Sequence, residues 1–185
     1  MDFVFCWGEK QMKKVIIYGS LYGAAKNYAE TLSRFTGVKA YNYKKVKDLS
    51  KYKQIVYIGG LYLGGVIGLR QTIRFAPEEA EFILITVGID DIFNKKCVDK
   101  INRSLQNQVP PYIYNKAKIF HLKGRIDYGR LKFRHRLIMA FLYQSLKEKS
   151  RVNWAEENNM FIQTYCEKVD FVEYTSLIPI AEEMM

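Results

Sequence analysis

The residues best suited to chemistry lie in three glycine-bearing segments, of which Gly19-Ser20-Leu21-Tyr22-Gly23-Ala24-Ala25 comes first. A loop of this kind points backbone N–H groups at an anion, the dipole of a following helix adds a favourable field, and Ser20 brings a hydroxyl donor. It carries neither the G-x-G-x-x-G fingerprint nor a G-x-x-x-x-G-K loop, which disfavours ordinary dinucleotide and nucleoside-triphosphate sites. The same residues also suit a plain strand-to-helix turn with no ligand. Gly59–Gly68 and Gly88–Asp91 are the other two loops, and in the last of them the acidic residues read first as helix caps. Cys6, Cys97 and Cys166 are odd in number, far apart and without Cys-x-x-Cys spacing, so a disulfide scaffold and a structural zinc site are poorly supported. With only His121 and His135 present, a multi-histidine metal centre is excluded, and neither histidine earns a catalytic assignment.

These loops need a frame. Val15-Ile16-Ile17-Tyr18 is a continuous apolar run, the pattern of a strand buried on both faces, and it stops at Gly19. Ala24, Ala25, Tyr28, Ala29, Leu32 and Phe35 then share one helical stripe that Gly37 ends. Val38 to Tyr43 alternates as an edge strand does, and Lys44 to Lys53 is a basic connection with a short helical turn near Asp48-Leu49. Gln54 to Gly60 reads as the next buried strand, feeding a flexible glycine-rich loop, and Gly68 to Ala76 as a crossover helix that Pro77 interrupts. Phe82 to Gly88 is the clearest strand. A helix carrying Ile92, Phe93, Val98, Ile101 and Leu105 follows, capped by Asp90 or Asp91 and closed by Pro110-Pro111. Lys118 to Leu122 is the last core strand, with Gly124 just beyond. Leu131 to Lys149 reads as a long basic helix and Trp154 to Lys168 as another.

Five strands alternating with helices predict a parallel, doubly wound α/β sheet, in which ligands bind beyond the carboxyl ends of the strands where strand order reverses. The 185 residues fit one domain at roughly 100–200 residues per domain. Residues 1–11 are expected to be an extension, or to follow an upstream start, because Met12 leads at once into the first strand. Residues 12–185 then form the single domain, with a basic helical region towards the C-terminus.

Ser20-Leu21-Tyr22-Gly23-Ala24-Ala25 resembles the first loop of the flavodoxin family, where a hydroxyl residue opens the loop, glycine stands fourth and threonine or alanine sixth. Val56 to Gly64 (VYIGGLYLG) resembles that family's second flavin loop. The resemblance implies a three-layer sandwich around a five-stranded parallel sheet of order 2-1-3-4-5, and flavin mononucleotide (FMN) as cofactor. It implies that Ser20, Leu21, Tyr22, Gly23, Ala24 and Ala25 wrap the phosphate, and that Gly60, Leu61, Tyr62, Leu63, Gly64 and Gly88 border the isoalloxazine ring. Tyr62 either stacks on that ring or caps the sheet edge. Ala25 stands where the family commonly has a hydroxyl, and one missing phosphate hydrogen bond costs on the order of 1–3 kcal/mol, so weak FMN retention is expected. Lys123-Gly124-Arg125-Ile126-Asp127-Tyr128, with Arg136-Leu137-Ile138-Met139, resembles a segment of menaquinone-dependent protoporphyrinogen dehydrogenases, small FMN enzymes of heme biosynthesis. This implies oxidation of protoporphyrinogen with a quinone acceptor, Arg125 meeting a substrate carboxylate through its fixed fork. No residue is assigned as catalytic, because the flavin takes the electrons and the protein supplies placement and electrostatics.

Twenty-nine Lys and Arg against 19 Asp and Glu leave a net charge of +10, which favours anionic partners. Shuttle flavodoxins resemble acidic proteins, so this balance argues against a generic shuttle. From Lys123 to Arg151 nine basic residues are opposed only by Asp127 and Glu148, around the apolar block Leu137 to Leu142. Such a segment can lie on an anionic membrane surface, steer porphyrin carboxylates towards a flavin, or be a core helix with a solvated basic rim. Nucleic acid is a weaker partner: Tyr41 to Lys45 interleaves tyrosine with lysine, but no recognised binding motif accompanies it. Phe3 to Trp7 lacks a basic leader, and the longest uncharged run, Gln54 to Leu69, falls short of the roughly 18 residues that suggest a spanning helix. A cytoplasmic protein is expected, with peripheral contact at the inner face of the membrane. Two other readings stay open: an electron-transfer module without a substrate of its own, and a flavin-free binding module, for which Ala25 is the pointer.

Overall fold

Runs of valine and isoleucine without polar interruption need apolar cover on both faces, and the fold supplies it. In the computed structural model, which describes residues 13–89, 91–131, 133–150 and 165–185, β1 (Lys14–Gly19) leads into α1 (Ala24–Thr36) and the edge strand β2 (Ala40–Asn42). Next come β3 (Gln54–Tyr62), the short β4 (Gly65–Val66) and α2 (Leu69–Ile73), then β5 (Glu81–Gly88) and α3 (Lys95–Gln106). α4 (Pro111–Tyr114), β6 (Lys118–Lys123), β7 (Arg125–Asp127), α5 (Phe133–Ser150), β8 (Lys168–Asp170) and a C-terminal helix (Ile178–Glu182) complete the described chain. Five strands run parallel in the order β2-β1-β3-β5-β6, the order the resemblance implies.

Successive strand residues face opposite sides, so one run of sequence builds two cores. On one side Ile16, Val56, Ile58, Ile83 and Ile85 meet Ala25, Tyr28 and Leu32 of α1, together with Leu177 and Ile180 from the C-terminal segment. On the other side Val15, Ile17, Ile55, Tyr57 and Leu84 meet Leu69, Ile73, Leu105 and Ile113 of the remaining helices. The result is a three-layer α/β/α sandwich.

Several expectations need correction. Gly60 to Gly68 is not a plain loop: β3 runs on to Tyr62 and turns back as β4, pairing antiparallel with Leu61 opposite Val66 and Tyr62 opposite Gly65. The cap of α3 is Asn94, whose Oδ1 accepts from the N–H groups of Lys96 and Cys97. Asp91 instead closes a turn onto Phe93 N, and Asp90 lies outside the described residues. Phe93 therefore precedes the helix and is 82% exposed. The crossover helix α2 is shorter than Gly68–Ala76, and a helical turn forms at Tyr43–Lys45, ahead of the one expected near Asp48. Residues 1–11 and most of the helix expected over Trp154–Lys168 lie outside the described residues; Lys168 itself opens β8.

α3 is tied to the sheet by a polar chain. Thr86 of β5, 1% exposed, meets His121 Nδ1 at 2.7 Å, and His121 Nε2 meets Asn102 Oδ1 of α3 at 3.2 Å. Burial holds the imidazole below its ordinary value of 6.5. Above that value neither the folded nor the unfolded chain carries the proton, and this contribution to stability is complete. As the pH falls below 6.5 the unfolded chain takes up the proton first, so the contribution declines. In urea unfolding at pH 7.5 and pH 5, His121→Gln is expected to lose less stability across that interval than wild type; parallel losses would refute the assignment.

Candidate functional site

The sheet twists its strand ends apart at the carboxyl edge, and a cavity of about 400 Å³ opens there. Its first wall is the turn after β1. Ser20 Oγ accepts from Gly23 N at 3.0 Å, and Gly23 takes φ of 94°, a left-handed conformation that glycine reaches without steric cost. The turn delivers the N-terminus of α1 to the cavity with no acidic residue in the first helical turn and no side-chain cap at Gly23. The N–H groups of that turn are left for a ligand or water. Ala24 and Ala25 border the cavity from this helix, with Ala25 1% exposed in the core.

The second wall is the β3–β4 hairpin. Its two-residue turn, Leu63-Gly64, has positive φ at both positions, 49° and 75°, as tight hairpins of this twist require. Glycine adopts this freely, whereas leucine does so at a cost of about 1 kcal/mol or more. The arm is tied down by its neighbours: Ile67 N donates to Gly60 O at 3.0 Å, Tyr57 Oη donates to Ile67 O, and Val66 N donates to Gln108 Oε1 at 3.0 Å. Ser104 Oγ donates to Gly64 O. Those partners, invisible in the local sequence, explain why a glycine-rich stretch forms a defined wall.

Val87, Gly88 and Ile89 make the third wall, joined to the fourth by Gly124 N donating to Gly88 O at 2.6 Å. Arg125 and Ile126 follow on that fourth wall, while Leu131 and Met139 of the α5 region close the side. His135, one helical turn before Met139, hydrogen-bonds through Nδ1 to Tyr22 Oη and lies 5.1 Å, centroid to centroid, from the Tyr62 ring. Burial, and to a lesser degree the neighbouring Tyr62, pushes the Tyr22 phenol up to about 12, so it stays protonated at neutral pH. Burial likewise raises the Tyr62 phenol. Among the described residues two cations, Lys100 and Arg125, line the cavity, and no carboxylate does.

The structure thus brings Ser20, Leu21, Tyr22, Ala24, Ala25, Gly60, Leu61, Tyr62, Leu63, Gly64, Gly88 and Arg125 around one cavity. Gly23 stands just behind, shaping the loop. Sequence reasoning missed His135, Met139 and Lys100. The four-residue spacing of His135 and Met139 on a helix was the available signal for the first two; nothing local marked Lys100.

The model of the flavodoxin domain matches residues 15–153. This chain belongs to the flavodoxin-domain family. The match spans the five parallel strands and all four walls of the cavity of this flavodoxin domain, with Arg125 and the helix that carries His135 among them. No curated protein matches the chain in sequence. Among solved structures, a putative flavoprotein from Bacteroides uniformis is 14% identical, covering 61% of this chain and 91% of its own, with a TM-score of 0.43. A flavodoxin from the domain Archaea is 15% identical, covering 60% and 84%, with a TM-score of 0.39. Smu.1420 from Streptococcus mutans is 10% identical, covering 69% and 94%, with a TM-score of 0.42.

Proposed function

We propose that this flavodoxin domain binds FMN and uses it to oxidise protoporphyrinogen, with a quinone as acceptor. The observation that carries the flavin part is the meeting, in one cavity, of an open helix N-terminus and an aromatic wall. The fit has a second support: Tyr62 Oη, on that wall, is buried and has no hydrogen-bond partner among the described residues. Such a group asks for an acceptor or donor from whatever fills the cavity. Ser20 to Ala25 would hold the phosphate, and Gly60 to Gly64 with Gly88 would border the ring. When bound, FMN supplies the two-electron chemistry.

The porphyrinogen part rests on the Lys123–Tyr128 segment, whose Gly124, Arg125 and Ile126 border the cavity, and on the cationic lining, which suits a substrate bearing carboxylates. Each two-electron oxidation of the porphyrinogen is balanced by reduction of one quinone to its quinol. Among the described residues no helix is long and apolar enough to cross a membrane. The outer face of α5 nevertheless exposes Phe133 (74%), Leu137 (56%) and Phe141 (75%) on one stripe, with Arg134 and Arg136 exposed beside it. That combination suits an anionic lipid surface holding the quinone.

Titration of the apo-protein with FMN, followed by quenching of flavin fluorescence, tests the reading. Saturable one-to-one binding is expected, and Gly23→Val should abolish it, because a β-branched residue resists φ of 94°. No binding to wild type would remove the flavin. Flavin binding with turnover of porphyrinogen and quinone in anionic vesicles supports the enzyme; flavin binding without turnover would leave a shuttle.

A further inference from the structure

Arg125 opens β7 in register with Asp170 of β8, and its Nη1 lies 3.5 Å from Asp170 Oδ2. Its other terminal nitrogen points away from that pair, at the start of α1. A Cβ built on Gly23 would stand 3.4 Å from Arg125 Nη2. With the Asn27 amide turned to satisfy its neighbours, its nitrogen donates to Gly23 O at 3.1 Å and its oxygen accepts from Arg125 Nη2 at 2.8 Å. The guanidinium is thus fastened from two sides against the loop that ends β1. It carries five N–H donors, and one carboxylate oxygen and one amide oxygen leave donors for the cavity that Arg125 lines.

Ala25 gives this placement its meaning. Its methyl group is buried in the core, and no side-chain hydroxyl stands at that position to meet an anion at the helix N-terminus. Ser20 Oγ accepts from Gly23 N, which leaves its O–H as a neutral donor, weaker towards an anion than a charged one. Among the described residues, the charged side-chain donor fastened beside this loop is Arg125, and a guanidinium fork matches the oxygens of a phosphate.

We propose that Arg125 is the charged side-chain ligand of the flavin's phosphate, standing in for the hydroxyl absent at Ala25, and that it sets the preference of the site for FMN over riboflavin. The proposal rests on the flavin reading above. It moves Arg125 from the substrate, where a carboxylate partner was expected, to the cofactor, and leaves Lys100 as the described lining cation for a substrate carboxylate. Asp170 and Asn27 are positioning residues that hold the fork towards the loop.

The test is parallel fluorescence titration with FMN and riboflavin of wild type, Arg125→Ala, Arg125→Gln and Arg125→Lys. Loss of a charge-assisted hydrogen bond predicts FMN binding weakened about 10- to 100-fold in Arg125→Ala and Arg125→Gln. Riboflavin binding should change by less than about twofold, and Arg125→Lys should recover part of the FMN affinity. Retained riboflavin binding also serves as the folding control, and Arg125→Gln keeps the aliphatic stem should alanine disturb β7. Equal weakening of both flavins, or unchanged FMN affinity, would overturn the assignment while leaving the flavin site standing. Wild type that binds FMN no better than riboflavin would overturn it too. Wild type that binds neither would remove the flavin reading and this proposal with it.

Discussion

A Gly19→Ala protein is expected to melt about 10 °C below wild type in thermal unfolding followed by circular dichroism. A methyl at Gly19 would sit 1.9 Å from the carbonyl oxygen of Ile67 and 2.8 Å from Tyr57 Oη. The first of these is backbone, already fixed by Ile67 N donating to Gly60 O, so no flexible side-chain end can yield. The second belongs to a tyrosine that is 1% exposed and donates to the same Ile67 carbonyl. Relief therefore requires parting the end of β1 from the returning arm of the hairpin and breaking a buried hydrogen bond. Overpacking and an unsatisfied partner together cost about 4 kcal/mol, and a domain of this size shifts by about 2–4 °C per kcal/mol. A melting temperature within about 2 °C of wild type would show that the crossover has slack the geometry denies.

Tyr28→Phe tests a different joint. Tyr28 is fully buried on α1. Its hydroxyl donates to Lys123 O at 2.8 Å, at the end of β6, and accepts from Glu173 N at 2.9 Å, at the entry to the C-terminal turn. The ring rests edge-on against Tyr174 at 5.5 Å. Phenylalanine keeps the shape and the ring contact but strands a carbonyl and an N–H at once. Each unsatisfied group costs on the order of 1–3 kcal/mol, giving an expected loss of about 3 kcal/mol in urea unfolding. A loss below about 0.5 kcal/mol would mean that water reaches both groups and that the hydroxyl is not the clamp between the sheet edge and the C-terminal segment.

The central strands were legible because burial on both faces writes itself into local composition: Val15–Tyr18, Gln54–Gly60 and Phe82–Gly88 can be little else. Their order came from the family likeness rather than from the strands themselves. The hairpin arm was not legible. Its turn places Leu63, and not only a glycine, at positive φ, and what holds the arm in place is Gln108 and Ser104, some forty residues on. The β7–β8 ribbon escaped for a related reason, since two three-residue strands with one apolar position each give no periodicity to read. Asp91 drew the cap assignment because any acid ahead of an apolar stripe fits the rule. Asn94 took the position because the helix starts later, beyond Phe93. At the cavity, backbone-determined residues such as Ser20, Gly23 and Gly60 could be named from the loops. His135 and Met139 gave only their shared helix face, because their role depends on where α5 crosses the open edge, a tertiary fact.

β3 pairs with both β1 and β5 in the middle of the sheet, and the same strand continues without a break into the cavity wall. A wall hung on a surface loop can loosen while the rest of a protein stays folded. Here the wall cannot be dismantled without pulling at the central strand, so occupancy and global unfolding are thermodynamically linked. A ligand present at a hundred times its dissociation constant adds about 2.7 kcal/mol to the stability of a whole domain linked in this way. A ligand that fills the cavity would then stabilise the entire chain and not the wall alone.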